Sequence, residues 1–537
     1  MIVYLAEKHQ FLEDVDSNRI EERILAEYQR THRHGVGNSE IKSWRNSMQY
    51  MHRILSDDEI PNNSGVAIEF TIPQSAKRID FILTGIGAQD RQTAVIVELK
   101  QWEVVKITSK DAIVRTFLNG GERETNHPSY QAWSYSSLLE DFNETVREKN
   151  ILLKPCAYLH NCADGAAINS SFYGEYTRAA PAFFKDAAAK LRSFIKQFVK
   201  YGDSGKVIYQ IRDGKISPSK NLADRLVSLL QGNREFLMID DQKLVYETAL
   251  DLSDKSSAEK KNVFIVNGGP GTGKSVVAIN LLVELTKRKK LVQYVTKNAA
   301  PRAVYENKLT GSFTKTRISN LFKGSGAYKE TEPNTFKALI VDEAHRLNEK
   351  SGLYGNEGEN QIKEVINSSE LCVFFIDENQ RVTFKDIGRK EDIRRWAKTL
   401  GAEVTELSLE SQFRCNGSDG YLSWVDHNLG IRTTAHPTLA GVDYEVTVCD
   451  TPNELRDLIR KKNKDRNKAR MVAGYCWNWS SKKSPSKPDI TIPEHNFEAQ
   501  WNLSGDGSLW IFGTQFSRAD RLHSYLSGTR ARLFAVC

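Results

Sequence analysis

The sequence predicts an α/β protein in which an amino-terminal mixed sheet with helices is followed by two parallel-sheet units, the second incomplete. Three strand-like runs, Val66–Ile72, Arg78–Leu83 and Thr93–Leu99, predict the first sheet because β-branched and apolar residues dominate them. From Asn262 onward a strand, a glycine-rich loop and a helix alternate, and a second alternation begins near Gly401. Such alternation predicts parallel strands joined by crossover helices.

Length and composition indicate a soluble, multidomain protein of the cytoplasm. The 537 residues exceed one ordinary hydrophobic core, and contents of 40% hydrophobic and 27% charged residues are those of globular proteins. No apolar run reaches the roughly 18 residues of a membrane span, and the amino terminus lacks the features of an export signal. Seven cysteines without a Cys-x-x-Cys pair indicate reduced thiols. The net charge of +7 permits a polyanionic partner without arguing for one.

A phosphate-binding loop follows the predicted strand Val263–Val266. Its residues are Gly268, Gly269, Pro270, Gly271, Thr272, Gly273, Lys274 and Ser275, and a helical stretch comes directly after them. In this G-x-x-x-x-G-K-[ST] pattern, glycines let backbone N–H groups turn toward a phosphate at a helix N-terminus. Lys274 is expected to reach the β- and γ-phosphates of ATP, and Ser275 to ligate Mg²⁺. The alternative is a glycine-rich turn that only joins strand to helix.

Two carboxylates follow the next buried strand, Ala338–Val341. They are Asp342, which we assign to the Mg²⁺ shell, and Glu343, which we assign as the general base for the attacking water. Acidic residues after a strand are common in loops. Asp342 and Glu343 therefore indicate a catalytic site only in combination with the phosphate loop that precedes them.

Four further features stand in the order and spacing of a motif series. Gln380 lies three residues after the aspartate that ends a third buried strand, and Gln242 lies just upstream of the phosphate loop. The segment Tyr294–Ala299 follows the first crossover helix, and Arg414 closes the run LSLESQFRC. Over residues 236–511 the chain therefore resembles superfamily 1 helicases, and within them the bacterial Schlafen group 3-like DNA/RNA helicase domain.

The resemblance implies roles for these residues. Gln380 corresponds to the glutamine of motif III, Gln242 to an adenine-reading Q motif, and Arg414 to the motif IV arginine that points at the γ-phosphate. Tyr294–Ala299 corresponds to motif Ia, which touches single-stranded nucleic acid. The implied cofactors are ATP and Mg²⁺, and the implied partner is DNA, with RNA as the alternative.

The amino-terminal strands carry a second set of charged residues. Asp80 lies on one strand, and Glu98 and Lys100 lie at the end of another. Side chains alternate across a strand, so Glu98 and Lys100 share a face and Asp80 can converge with Glu98 on a divalent cation. Oxygen ligands of this kind suit Mg²⁺ or, as the alternative, Mn²⁺. Lys100 is then placed to orient water or to stabilise charge on a phosphate.

Two additions favour a nuclease over a half-buried sheet with exposed charges at its end. Glu40 lies on the preceding helix, and Gln131 and Tyr135 form a Q-x-x-x-Y pair on one helical face. With these residues the domain resembles the PD-(D/E)xK superfamily and its RecB-like members, with Ile79 at the usual proline position. The resemblance implies a restriction-endonuclease-like fold, in which Asp80, Glu98, Lys100 and the Q-x-x-x-Y pair are catalytic.

The last stretch, Ile511–Cys537, departs from the helicase resemblance. It is rich in Arg and Ser, has no lysine and shows no clear strand or helix period. Helicase motifs V and VI are missing. Permitted codons for Phe516–Phe534, read one base later, can spell a motif V-like sequence. The hypothesis is therefore a frameshift near residue 511, with a divergent natural tail as the alternative, and it predicts ATP binding with impaired hydrolysis and no processive unwinding.

The expected layout is a nuclease-like domain over 1–165, a helical connector over 166–235, a RecA-like ATPase domain over 236–395, a partial RecA-like domain over 396–511 and an aberrant tail over 512–537. This layout predicts an ATP-binding nuclease–helicase-like protein that acts on DNA and, by analogy alone, serves in phage defence. Two alternatives stay open. One is a non-catalytic, nucleotide-gated nucleic-acid-binding protein, and the other is a decayed gene product.

Overall fold

The computed structural model describes most of the chain. The described residues are 2–31, 38–72, 77–118, 120–214, 227–229, 237–351, 357–381, 383–410, 419–431, 434, 438–439, 445–466, 469–474, 477, 487–499, 523–525 and 533–536. Within these ranges, no helix has both the length and the apolar character that crossing a bilayer requires.

The amino-terminal unit is built on a six-stranded mixed sheet. In chain order, the strands of the unit are β1 Ile2–Glu7, β2 Gly65–Thr71, β3 Arg78–Ile86, β4 Gln92–Lys100, β5 Val105–Ile107, β6 Ile113–Leu118, β7 Gly121–Asn126, β8 Leu152–Leu159 and β9 Ala182–Phe184. The main sheet has the order β1-β2-β3-β4-β8-β9, antiparallel from β1 to β4 and parallel from β4 to β9. Strands β5, β6 and β7 form a separate antiparallel sheet.

Helices cover both faces of the main sheet. They are α1 Lys8–Asp16, α2 Ile20–Thr31, α3 Asn38–Leu55, α4 Pro128–Phe142, α5 Glu144–Glu148, α6 Gly174–Ala179, α7 Ala188–Phe198 and α8 Lys206–Arg212. Along β4 the side chains alternate, so Val95 and Val97 pack with α1, α2, α3 and α7, while Ala94 and Ile96 pack with α4, α5 and α8. Because β4 is packed on both faces, the position of its carboxyl end, residues 98–100, is fixed.

Much of the segment predicted as a helical connector, 166–235, is part of this first unit. Residues Ala182–Phe184 form strand β9, which pairs parallel to β8. Val207 and Ile211 of α8 lie in the core with strands β2 and β3. The helices of the segment agree with the expectation, but the strand does not. Three residues are too few to show a period, so the pairing partner rather than the local pattern makes this strand.

The second unit contains a six-stranded parallel sheet. Its strands are β10 Asn262–Gly268, β11 Val292–Val295, β12 Phe322–Lys323, β13 Phe336–Val341, β14 Ser369–Ile376 and β15 Glu403–Leu409, in the order β12-β11-β13-β14-β10-β15. All five pairings are parallel. The helices are α9 Asp240–Lys255, α10 Lys274–Lys287, α11 Ala299–Leu309, α12 Lys315–Leu321, α13 Gln361–Asn367 and α14 Lys390–Thr399.

Strand β10 is buried on both faces, as a central parallel strand requires. Phe264 and Val266 join one core cluster, and Val263 and Ile265 join the cluster on the opposite face. The near-continuous apolar run of the sequence is therefore the consequence of helices on both sides.

The boundary predicted between residues 395 and 396 falls inside the second unit. Strand β15, Glu403–Leu409, pairs parallel with β10 along its whole length and is the edge strand of the same sheet. The sequence shows that a strand follows α14 but not which sheet it joins. That choice depends on which strand edge is open.

Two helices and five short strands follow the parallel sheet in the described part of the chain. They are α15 Asp419–Asn428, α16 Pro452–Arg466, β16 Arg470–Gly474, β17 Ile490–Ile492, β18 Phe497–Ala499, β19 His523–Tyr525 and β20 Leu533–Val536. Strands β19 and β20 flank β16, although the sequence indicated no strand period after residue 511. Segments of three and four residues are too short to show one.

The predicted fold class is confirmed. A mixed sheet with helices comes first, and a parallel, RecA-like sheet with crossover helices follows it.

Candidate active sites

The phosphate loop lies at the carboxyl edge of the parallel sheet. Strand β10 runs directly into it, and α10 begins at Lys274. Strand β14 pairs with β10 and ends before Asp377, and β13 pairs with β14 and ends before Asp342. Because the strands are parallel, their carboxyl ends meet at one edge and bring the loop and both aspartates together.

The lysine of the loop is held over the loop backbone. Lys274 Nζ donates to the carbonyl oxygens of Gly268 at 2.5 Å and Gly269 at 2.8 Å. Thr272 Oγ1 donates to Gly269 O at 3.0 Å, which closes the loop from within. Pro270 and Gly271 lie at the tip between these contacts, and a phosphate would compete with the two carbonyls for the ammonium group.

Asp342 and Ser275 meet across the loop. Ser275 Oγ donates to Asp342 Oδ2 at 2.7 Å, and Tyr294 Oη donates to the same oxygen at 2.5 Å. Burial raises the pKa of Tyr294 well above its usual value, so the hydroxyl stays a donor. One hydroxyl and one carboxylate at this spacing form an oxygen pair of the kind that Mg²⁺ takes together with phosphate oxygens.

Glu343 occupies a strained backbone position. Its φ is +56°, in the left-handed region that side chains other than glycine rarely adopt. Its Oε2 lies 3.1 Å from Nε2 of His345, which is 2% exposed. Strain of this kind clusters at functional sites, where it aims a side chain that a relaxed turn would point elsewhere.

The motif III and Q-motif positions also lie at this edge. Gln380 Nε2 donates to Asp377 Oδ2 at 2.9 Å, in the turn after β14. Gln242, near the start of α9, donates from Nε2 to Thr272 O of the loop at 3.1 Å. The predicted nucleotide residue Arg414 lies outside the described residues.

Two glycines of the loop provide a matched pair for a test. Gly273 has φ +83°, and a Cβ there would meet Gln242 Nε2 at 2.2 Å, whereas a Cβ on Gly269 would have nothing within 4 Å. We expect Gly273→Ala to weaken binding of a fluorescent ADP analogue by about tenfold or more, because a strained non-glycine residue costs about 1–3 kcal/mol. Gly269→Ala should lose less affinity than Gly273→Ala, because no described protein atom lies within 4 Å of its added Cβ. Equal affinities in a fluorescence titration would contradict the loop geometry.

Two buried histidines predict acid sensitivity. Burial lowers the pKa of His345 and that of His127, the N-cap of α4, each to about 4. Both are therefore neutral in the folded chain, while unfolded histidine has a pKa of 6.5. A depressed folded pKa gives stability that is present above 6.5 and is lost as the pH falls toward 4.

We therefore expect the melting temperature to fall as the pH is lowered through this window. His127→Gln should flatten that fall in a thermal scan. The control, His9→Gln, changes a side chain that is 52% exposed and should leave the slope as it is. An unchanged slope in His127→Gln would contradict the assignment.

The amino-terminal carboxylates meet where β3 and β4 pair. Phe81 pairs with Val97, so the next residues along the strands, Asp80 and Glu98, are neighbours. Asp80 Oδ2 accepts from the backbone N–H of Leu99 at 2.7 Å. The structure thus brings the two predicted metal ligands together.

Lys100 closes this cluster. Its Nζ donates to Glu98 Oε1 at 2.6 Å and lies 5.5 Å from the ring centre of Trp102. The side chain of Glu98 is 1% exposed and that of Lys100 is 16% exposed. The ammonium group of Lys100 is therefore the more exposed part of the cluster, and the carboxylate of Glu98 is buried.

Burial dominates the electrostatics of the cluster. It raises the pKa of Asp80 and, together with the charge of Asp80, raises that of Glu98 well above its usual value. Burial alone would lower the pKa of Lys100, but Glu98 and Asp80 raise it above the ordinary lysine value. The ammonium group of Lys100 therefore stays charged beside two buried carboxyl groups whose charged forms burial disfavours.

The Q-x-x-x-Y pair faces the same cluster from α4. Gln131 Nε2 donates to Tyr135 Oη at 2.9 Å, and Tyr135 Oη donates to Asp240 Oδ2 at 2.7 Å. Burial raises the pKa of Tyr135 well above its usual value, and the charges of Asp240 and Glu98 add to this. Glu40 lies in the first turn of α3.

The amino-terminal cluster has one property that suits a metal ion. Glu98 Oε2 is buried and makes no hydrogen bond among the described residues. Over that same part of the chain, however, no group of three or more His, Cys, Asp and Glu side chains is placed to hold a metal. Two carboxylates therefore fit Mg²⁺ or Mn²⁺ only if water and substrate phosphate complete the shell, as is usual for Mg²⁺.

Two residues at these sites were missed from the sequence. Tyr294 lay inside the predicted motif Ia, but nothing local indicates that its hydroxyl reaches Asp342, 48 positions away. Asp240 stands two residues before Gln242, yet its partner Tyr135 is 105 positions earlier. The one local indication in the sequence is that two carboxylates, Asp240 and Asp241, directly precede the Q-motif glutamine Gln242.

The parallel sheet, the loop around Lys274 and the Ser275–Asp342 contact define a P-loop nucleotide-binding fold. Residues 261–518 match the family model of the Schlafen group 3, DNA/RNA helicase domain, which is just under half of the chain. This match supports a helicase-type P-loop ATPase.

Comparisons with single proteins give weak and partial similarities. An uncharacterized protein of Saccharomyces cerevisiae is 22% identical over 284 residues, which are 46% of this chain and 61% of that protein. The crystal structure of a DNA replication initiation factor is 16% identical, with a TM-score of 0.20 and coverage of 43% of this chain and 63% of that one. The Pif1 helicase of Candida albicans is 13% identical, with a TM-score of 0.26 and coverage of 48% and 60%. This chain thus spans about three fifths of each relative.

Proposed function

We propose that this chain is an ATPase that acts on nucleic acid and hydrolyses phosphodiester bonds in its amino-terminal domain. The observation that carries the nuclease part is the cluster of Asp80, Glu98 and Lys100, in which Glu98 Oε2 is buried and makes no hydrogen bond among the described residues. The match to a DNA/RNA helicase domain supports a nucleic-acid partner. DNA is the first expectation and RNA the alternative.

In the nucleotide site, Lys274 neutralises the β- and γ-phosphates after leaving the loop carbonyls. Ser275 and Asp342 would hold Mg²⁺, which supplies positive charge to the phosphate oxygens. Glu343 accepts a proton from the attacking water. Gln380, which donates to Asp377, would contribute to the same nucleotide site. Tyr294 fixes the carboxylate of Asp342 by hydrogen bonding to it.

In the amino-terminal site, Asp80 and Glu98 would hold Mg²⁺ or Mn²⁺, which supplies Lewis-acid polarisation of a phosphate oxygen. Lys100 donates to the attacking water or to the developing charge on the phosphate. Gln131 and Tyr135 fix the wall of the site by their hydrogen bonds.

A cleavage assay tests the proposal. Labelled single- and double-stranded DNA and RNA are incubated with the full chain and Mg²⁺ or Mn²⁺, with and without ATP. We expect cation-dependent cleavage of at least one substrate that is lost in Asp80→Asn, while ATP hydrolysis persists in that variant. If cleavage by the purified chain does not change with Asp80→Asn, the activity comes from a contaminant and the nuclease part falls.

One observation favours a second candidate, a protein that binds nucleic acid without cutting it. Glu98 already forms an ion pair with Lys100. In the described ranges, no third acidic or histidine side chain is placed to hold a metal ion together with Asp80 and Glu98. In that case the amino-terminal unit binds nucleic acid without cleaving it, and nucleotide binding at the phosphate loop regulates that affinity. Nucleotide-dependent binding without cleavage under all cation conditions would identify this second function.

A further inference from the structure

One helix turn touches both candidate sites. Helix α9 begins at Asp240, and its first turn also contains Asp241 and Gln242. Gln242 belongs to the phosphate-loop site and Asp240 to the carboxylate site, yet only Asp241 separates them.

On the nucleotide side, the turn is bonded to two parts of the parallel-sheet unit. Gln242 donates to Thr272 O at 3.1 Å, and its Oε1 accepts from the N–H of Ile239 at 3.4 Å. Asp241 Oδ2 accepts from the N–H of Glu410 at 2.8 Å, just after strand β15. A shift of the loop during nucleotide binding therefore acts directly on this turn.

On the carboxylate side, the same turn is gripped by the first unit. Tyr135 Oη donates to Asp240 Oδ2 at 2.7 Å, and Lys77 Nζ lies 3.2 Å from that oxygen and 2.7 Å from Asp241 Oδ1. The hydroxyl of Tyr130 donates to the carbonyl of Met238, one residue before the helix cap. The charge of Asp240 also reaches Glu98 and Lys100.

The next turns of α9 fix the helix to the first unit. Lys243 Nζ bonds to Asp111 Oδ2 at 2.9 Å and to Glu247 Oε1 at 2.8 Å, and Glu247 Oε2 accepts from the N–H of Asp111 at 3.2 Å. All three residues are more than half buried as side chains. Helix α9 is thus packed into the core of the parallel-sheet unit and hydrogen-bonded to the first unit. A movement of one unit relative to the other at this helix would therefore change its first turn.

Asp240 itself is held in a costly conformation. Its φ is +38°, and its Oδ1 is buried and makes no hydrogen bond with any described residue. A backbone in this region is strained for a residue other than glycine, and it persists only where the surroundings impose it. The imposed geometry aims one carboxylate oxygen of Asp240 at Tyr135 and leaves the other oxygen buried.

From these contacts we infer that Asp240 is a positioning residue that links the two sites. Nucleotide binding at the loop shifts the first turn of α9, and through Asp240 and Tyr135 it changes the cation affinity of the Asp80–Glu98 pair. The inference deepens the proposed function and rests on it for the cation. Because coupling between binding sites is reciprocal, changes on the carboxylate side must also change nucleotide affinity.

The test measures nucleotide affinity in variants of the first unit. Tyr135→Phe removes only the hydroxyl that holds Asp240, and Asp240→Asn removes the charge while keeping a residue that tolerates positive φ. We expect each to raise the dissociation constant of a fluorescent ADP analogue by about fivefold or more. The matched control is Tyr4→Phe, which removes a buried hydroxyl that donates to Asp14 at 2.8 Å in the same unit. It should leave ADP affinity unchanged.

The outcomes separate this inference from the nuclease proposal. Wild-type ADP affinity in both variants would overturn the coupling, and so would an equal loss in Tyr4→Phe, which would reveal general destabilisation. The Mn²⁺ concentration for half-maximal cleavage should also shift on adding ADP in the wild type, and less in Tyr135→Phe. Coupling seen in ADP affinity without any cleavage would remove the nuclease proposal alone, while cleavage with no ADP effect would remove the coupling alone.

Discussion

Replacing Glu343 with glutamine is expected to lower the rate of ATP hydrolysis by about 10²- to 10⁴-fold, the usual contribution of a positioned general base. Nucleotide affinity should remain, because Lys274 and the loop backbone hold the phosphates and Glu343 does not. The substitution keeps the size and shape of the side chain and tests only its ability to accept a proton. Phosphate release under saturating ATP gives the rate, and a fluorescent ADP titration gives the affinity.

The neighbouring strand supplies the control for this substitution. Glu378 also follows an aspartate at the carboxyl end of a parallel strand, but its carboxylate accepts from the N–H of Lys390 at 2.9 Å and is turned toward α14. Glu378→Gln should keep the wild-type rate of hydrolysis. If both variants hydrolyse ATP alike, Glu343 is not the base, and the strained backbone at that residue needs another explanation.

The geometry of the phosphate loop could be predicted because its residues are neighbours in the sequence. The residues from Gly268 to Ser275 are contiguous, and their strand–loop–helix context fixes their geometry. Asp342 and Asp377 end strands that a parallel sheet must align at one edge. Their proximity therefore follows from the topology, even though they are far apart along the chain.

The remaining features could not be predicted because long-range pairing decides them. Strand β9 has only three residues and forms because it can pair with the edge of β8. Strand β15 joins the six-stranded parallel sheet because one edge of β10 is available for pairing. Tyr135 was predicted as part of a Q-x-x-x-Y face, but its hydroxyl bonds to Asp240, whose role no local pattern indicates. The boundaries predicted at 165 and 395 each divide a sheet, because β9 and β15 lie past them.

Replacing Lys100 with methionine is expected to reduce phosphodiester cleavage by about 10²- to 10³-fold, as the loss of one preorganised donor in an active site commonly does. The reason is that Lys100 Nζ is the charged donor of the cluster and lies 2.6 Å from Glu98. Methionine keeps most of the apolar stem against Trp102, and Glu98 can take up a proton once its partner is gone, so the fold should persist. At saturating ATP, hydrolysis should stay at the wild-type rate, since the inferred coupling acts on nucleotide affinity rather than on the hydrolytic step.

Lys106→Met is the matched control for this variant. Lys106 lies on β5, its side chain is 59% exposed, and it pairs with Glu122 at the surface. Both substitutions remove one positive charge, so a loss of non-specific attraction to the nucleic acid would be similar in the two variants. Cleavage that falls only in Lys100→Met therefore reports on chemistry at the cluster. Equal losses in the two variants would mean that Lys100 contributes only charge to substrate binding, and would favour the nucleic-acid-gripping function over the nuclease.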